Sequence, residues 1–241
     1  MSIKFDGLFD KNILVTGATS GIGKCLTIKL IEGGANVAFC GRSADKMTKL
    51  LAEINGAKSN LYYKVFDITN EDEVIAFVGE ATANLGTFDV LVNCAGANTV
   101  RSLVSNIKTN DLEYMLRINT IAPFVFIREV YKSMEIVKKG MIINVLSTVC
   151  NFSNEGIGAY TASKASFDAL VKVFRKEVRH HNIKICSIYP GGTNTAFRET
   201  NKPEYLEVES VVGAIFTMIL ADLNASIDEL IIRPMIEKNY I

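Results

Sequence analysis

Seven short apolar runs, separated by segments of helical pattern, constrain this 241-residue chain more than any other feature. The runs are NILVT (12–16), NVAFC (36–40), LYYKVFD (61–67), FDVLVN (88–93), MIINVLS (141–147), KICSIYP (184–190) and DELIIRP (228–234). Most are continuous rather than alternating, as strands covered on both faces are. The spacing predicts helices over 21–32, 44–54, 71–85, 109–138, 157–180 and 208–220, the third capped by Asn70. Strands alternating with helices require right-handed crossovers and a parallel sheet. No Pro/Gly/Ser-rich linker and no internal repeat interrupts the pattern. Residues 1–241 are therefore expected to form a single doubly wound α/β domain, with seven mainly parallel strands and helices on both faces. Ligands of such sheets bind outside the carboxyl ends of the strands, so the residues after each run are where chemistry is sought.

Composition excludes several function classes. The chain carries 26 basic and 26 acidic residues, which argues against nucleic acid as a partner. The five cysteines, Cys25, Cys40, Cys94, Cys150 and Cys186, are scattered with no C-x-x-C pair, the pattern of small buried apolar residues in a reducing compartment. With two adjacent histidines, His180 and His181, at a predicted helix end, no metal site is expected. The start, MSIKFDGLFDKN, has no long apolar run, and Val211 to Ala221 is about half of the ~20 residues a membrane span needs. We expect no secretory leader, no membrane partner and a cytoplasmic location.

The first strand runs into VTGATSGIGKC, 15–25. A Walker loop needs four residues between its glycines and a hydroxyl after the lysine. Here Gly17 and Gly23 bracket five, and Cys25 follows Lys24. The G-x-G-x-x-G fingerprint fails as well. What remains, G-x-x-x-G-x-G at Gly17, Gly21 and Gly23, still allows close backbone approach before a helix start with free N–H groups, where a pyrophosphate can lie. An acid at the end of the second strand would accept from a ribose 2′-hydroxyl and repel a 2′-phosphate. This chain has Gly41-Arg42-Ser43 there. Arg42 can pair with a 2′-phosphate through its planar fork, and Ser20 and Ser43 add hydroxyl donors. The expected cofactor is NADP(H) rather than NAD(H).

Tyr160 and Lys164, in AYTASKASFDAL, share one helix face. A phenol with pKa near ~10 is a poor acid at neutral pH, and a nearby ammonium stabilises its phenolate. Ser147 ends the preceding strand, where its hydroxyl can meet a carbonyl oxygen beside the tyrosine.

These residues resemble the short-chain dehydrogenases/reductases in their single-domain form, a Rossmann-type fold, over essentially the whole chain. TGATSGIG is similar to the family's T-G-x-x-x-G-x-G cofactor loop, at Thr16, Gly17, Gly21 and Gly23, with Thr19, Ser20 and Ile22 between. Asp67, followed by Ile68, matches the acid that contacts the adenine amine. NCAG, Asn93 to Gly96 with Ala95, looks like N-N-A-G with Cys94 replacing the second Asn. Asn119 falls where the family's helix carries its catalytic Asn. PGGTNT, with Pro190, Gly191, Thr193 and Thr195, is similar to P-G-x-V-x-T, which holds the nicotinamide carboxamide. Thr193 replaces the usual apolar residue.

The resemblance implies a mechanism. Hydride passes between NADPH and a carbonyl carbon. Tyr160 is the general acid, or the base in reverse, and Lys164 lowers its pKa and bonds the ribose. Ser147 polarises the carbonyl, and Asn119 positions a water that relays protons to Lys164. It also implies a homodimer or homotetramer through the helices around 111–137 and 157–180. Phe124, Phe126, Phe167 and Phe174 fit either that interface or the core. A small-molecule carbonyl or alcohol is the expected substrate, under a lid at about 195–207 that reads first as a solvated segment with a few apolar anchors, the alternative being that Phe197, Tyr205 and Leu206 line a pocket and Arg198 and Lys202 meet an anion. The ending SIDELIIRPMIEKNYI lacks the glycine-rich close of most 3-oxoacyl-[acyl-carrier-protein] reductases, which stay an alternative. A non-catalytic NADP-binding regulator would not need Tyr160. A serine hydrolase would need a G-x-S-x-G elbow, which is absent from the sequence.

Overall fold

The computed structural model describes residues 7–195 and 202–237. Seven strands form one sheet: β1 (Asn12–Thr16), β2 (Asn36–Gly41), β3 (Leu61–Val65), β4 (Val90–Asn93), β5 (Gly140–Val145), β6 (Ile183–Pro190) and β7 (Glu229–Ile232). Their order is β3-β2-β1-β4-β5-β6-β7, and every pairing is parallel. The helices are α1 (Gly21–Glu32), α2 (Ala44–Glu53), α3 (Glu71–Leu85), α4 (Thr109–Leu116), α5 (Ala122–Val137), α6 (Gly158–Val178) and α7 (Val208–Ile219). The expected doubly wound architecture is therefore present.

The side-chain alternation explains why the runs are continuously apolar. Ile13 and Val15 of β1 pack on one face with Leu26, Leu30, Ile215 and Phe216 of α1 and α7. Leu14 packs on the other with Phe77, Phe126, Phe167 and Val171 of α3, α5 and α6. β1, β2, β4, β5 and β6 each feed both cores, so both parities of these strands are largely apolar.

The chain winds outward from β1 to β3, then returns to place β4 on the other side of β1. That reversal opens a crevice at the carboxyl ends of β1 and β4. At those ends begins a polar tier that crosses the sheet. Thr16 pairs with Asn93, Asn93 with Asn144, and Asn144 with Ser187, and all four are buried. Asn93 Nδ2 donates to Asn144 Oδ1 at 3.0 Å, and Arg175 donates to the Ser187 hydroxyl at 3.2 Å.

The region expected as one helix over 109–138 is not continuous. A π turn, Arg117–Ile121, separates α4 from α5, with the Ala122 N–H bonded to the Arg117 carbonyl. Pro123 has no N–H, so the regular α-helical bond that would end on the Asn119 carbonyl cannot form. The phenylalanines also separate: Phe126 and Phe167 are core, Phe174 is half-buried beside it, and Phe124 is 40% exposed. The two histidines lie in a short 3-10 turn after α6, where His181 Nδ1 and the Tyr131 hydroxyl are 2.8 Å apart.

Candidate active site

A cavity of about 640 Å³ lies over the crevice. Its floor begins with the turn from β1 to α1. Gly17 adopts φ +69°, and a Cβ there would come 2.8 Å from the Ala95 backbone, so the turn packs directly on the segment after β4. Thr19, Ser20, Gly21, Ile22 and Gly23 complete this wall. Ser20 stands at the N-cap of α1 without a side-chain cap bond, and the first turn holds no acid. By contrast, Ser43 and Asn70 cap α2 and α3 with their side chains. The first-turn amides of α1 and the positive end of its dipole thus face the cavity with no internal anion to satisfy them.

Arg42 and Ser43 border the cavity after β2, and Asp67 and Ile68 after β3. Asp67 Oδ1 accepts from the Thr69 N–H at 2.9 Å. A Cβ on Gly41 would come 2.5 Å from Thr19 Cγ2 and 2.6 Å from its hydroxyl, so Thr19 fills the place where a side chain at 41 would stand. Lys46, in the first turn of α2, is a second cation on this wall. Sequence reasoning missed it, although a base three residues past Ser43 at a helix start was there to be read. Tyr114 was missed as well, and nothing in the sequence pointed to it: its hydroxyl accepts from Arg42 Nη1 at 3.2 Å across 72 positions.

At the other end, Ala95, Gly96, Ser147, Tyr160, Lys164, Pro190, Gly191, Thr193 and Thr195 all border the same cavity. Three expected contacts do not. The Thr16 hydroxyl lies beneath, accepting from the N–H groups of Cys94 at 3.1 Å and Ala95 at 3.0 Å. Asn93 belongs to the polar tier, and its Oδ1 has no partner among the described residues. Asn119 is fully buried. Its Oδ1 accepts from the Ala97 N–H at 3.0 Å, and its Nδ2 donates to the Ala97 carbonyl at 2.8 Å and the Ser163 hydroxyl at 3.1 Å. Gly96 packs against both Asn119 Oδ1 and Lys164 Nζ.

Tyr160 and Lys164 stand one turn apart on α6, both buried. Lys164 Nζ donates to the Val145 carbonyl at 3.0 Å. Burial pushes its pKa from 10.5 down to about 8. Burial likewise pushes the Cys94 and Cys150 thiols up, to about 12 and about 11, so both remain neutral near Lys164. All five cysteines are free. The Ser147 hydroxyl accepts from the Val149 N–H at 3.4 Å, which leaves its proton free to donate toward the cavity.

The substrate end has further borders that the sequence reading did not name: Asn98, Arg101 and Glu237. Glu237 accepts from the Gly192 N–H, and Arg233 lies 4.3 Å over the Phe152 ring, so residues 233–237 close one side of the mouth. Tyr205 borders the cavity, and Leu206 pairs with the Gly192 carbonyl. Phe197 and Arg198 lie outside the described residues. Among the described residues no group of acidic, His or Cys side chains could hold a metal ion, and no helix is long and apolar enough to cross a membrane.

A 3-oxoacyl-[acyl-carrier-protein] reductase of Thermotoga maritima is 32% identical over 189 residues, covering 78% of this chain and 76% of its own. An uncharacterized oxidoreductase of Staphylococcus aureus is 26% identical over 95% of this chain and 99% of its own. A metagenomic short-chain oxidoreductase, solved in complex with NADP, superposes with a TM-score of 0.84 at 26% identity, covering 96% of this chain and 100% of its own. The family model described as short chain dehydrogenase matches residues 11–206, and the chain belongs to that family of oxidoreductases.

Proposed function

We propose that this protein is an NADP(H)-dependent oxidoreductase acting between a carbonyl compound and the corresponding secondary alcohol. The carrying observation is that Ser147, Tyr160 and Lys164 border one cavity with an uncapped helix N-terminus behind a glycine turn. The residues fit a dinucleotide: the α1 amides would hold the pyrophosphate, Asp67 the adenine amine, and Pro190 to Thr195 the nicotinamide end. When bound, the cofactor supplies or accepts the hydride. Tyr160 gives its phenolic proton to the developing alkoxide, or removes it in the reverse direction. Lys164 stabilises the phenolate so formed by its charge. Ser147 donates to the carbonyl oxygen. The side chain of Asn119 is committed to Ala97 and Ser163, so a water relaying protons to Lys164 is held by its backbone carbonyl.

Preference for NADP(H) over NAD(H) rests on Arg42 and Lys46 together, with Thr19 standing where an acid at position 41 would need to be. We read residues 1–241 as one domain, with 195–207 covering a small-molecule substrate, and as a cytoplasmic homodimer or homotetramer formed through the helices around 111–137 and 157–180. The relative from Thermotoga maritima keeps 3-oxoacyl-[acyl-carrier-protein] as a second substrate class. A panel of ketones, aldehydes and 3-oxoacyl thioesters, followed by NADPH absorbance and repeated with NADH, tests the reading. Turnover of at least one carbonyl with NADPH, at a kcat/KM at least tenfold above that with NADH, is expected. Preference for NADH overturns the role of Arg42, and no turnover with either overturns the enzyme.

A further inference from the structure

We propose that Tyr114 is a positioning residue that strengthens the preference for a 2′-phosphorylated dinucleotide by holding the Arg42 guanidinium at the cavity wall. The inference rests on the NADP(H) reading above. Arg42 is exposed, and a free arginine at the start of a helix samples many rotamers. Here one N–H, on Nη1, is engaged by the Tyr114 hydroxyl at 3.2 Å. Tyr114 is half-buried on α4, a helix that packs against α6, so its ring is a fixed point rather than another mobile side chain. Only Nη1 is engaged in this bond, and Arg42, Ser43 and Lys46 all border the cavity. The Ser43 hydroxyl is in turn held by the Lys46 N–H at 3.3 Å. A phosphate entering there meets a guanidinium whose rotamer is already selected, and the ordering cost of the long side chain is met before binding.

The test is a double-mutant cycle read by binding. Dissociation constants for NADPH, NADH and adenosine 2′,5′-bisphosphate are measured by calorimetry for the wild type, Tyr114→Phe, Arg42→Ala and the double variant. Thermal melts confirm that each is folded. Tyr114→Phe is expected to weaken NADPH and the bisphosphate by about three- to tenfold, the range of one hydrogen bond, and to leave NADH within twofold. In the Arg42→Ala background the same change is expected to have no effect, because Tyr114 acts through Arg42. An unchanged NADPH affinity in Tyr114→Phe, an equal loss for NADH, or a loss that persists without Arg42 would each overturn the proposal. The last of these would mean that the phenol itself touches the phosphate. A wild type that binds NADH as tightly as NADPH contradicts the cofactor reading and the proposal with it. A wild type that prefers NADPH, unaltered by Tyr114→Phe, contradicts the proposal alone.

Discussion

At the scale of single residues, burial of Lys164 ties the chemistry of the site to the stability of the fold. Its ammonium loses hydration and gains one carbonyl, so its pKa falls from 10.5 to about 8. The folded pKa lies below the unfolded one. Between about pH 8 and 10.5 the unfolded chain holds a proton that the native chain has released, and this group favours the native state increasingly as pH rises through that window. Lys164→Met is therefore expected to lower turnover by ~10²-fold or more, while raising the melting temperature at pH 7. The gap from the wild type should narrow in melts at pH 9.5, whereas a gap independent of pH would contradict the account. Thr16 carries a second prediction. Its hydroxyl is the acceptor for two N–H groups beneath the cavity floor. Thr16→Val keeps the shape and strands both donors, so urea unfolding should show a loss of about 1–3 kcal/mol.

At the scale of elements, the strands were legible and the break in the long helix was not. Continuous apolar runs followed by glycine, serine or asparagine mark both the strands and their carboxyl ends, so the places of Gly17, Ser147 and Pro190 could be read directly. The π turn at Arg117–Ile121 inserts a single residue into an unbroken amphipathic pattern. Its one trace, Pro123, is a residue that any helix tolerates in its first turn. That slip shifts the register of the helix after it, in which Phe126 faces the core and Phe124 is exposed. It also brings Asn119 to Ala97, holding the segment after β4 at the cavity. π turns recur at functional sites for this kind of reason. Asn119→Ala should leave the Ala97 backbone unpaired, and amide exchange at residues 95–98 should accelerate by at least tenfold with the exchange of β4 itself unchanged. The Arg42–Tyr114 contact was equally illegible, since side chains 72 positions apart meet only after β2 and α4 are placed.

At the scale of the whole molecule, the outer faces of α5 and α6 leave Phe124, Leu170 and Val173 exposed, Val173 by 56%, and Ile121 of the π turn before α5 is exposed as well. Exposed apolar side chains on neighbouring elements are the feature a self-association surface would use. Val173→Glu is expected to shift the sedimentation coefficient toward a monomer, and an unchanged value would move the interface elsewhere. The central claim, though, is that this crevice is a catalyst and not only a dinucleotide-binding site. The most direct test is Tyr160→Phe, with NADPH affinity and carbonyl-dependent NADPH oxidation measured on the same preparation. The account predicts binding within about threefold of the wild type and a rate lowered by ~10²- to 10⁴-fold, the worth of a general acid. Oxidation persisting at the wild-type rate would contradict it.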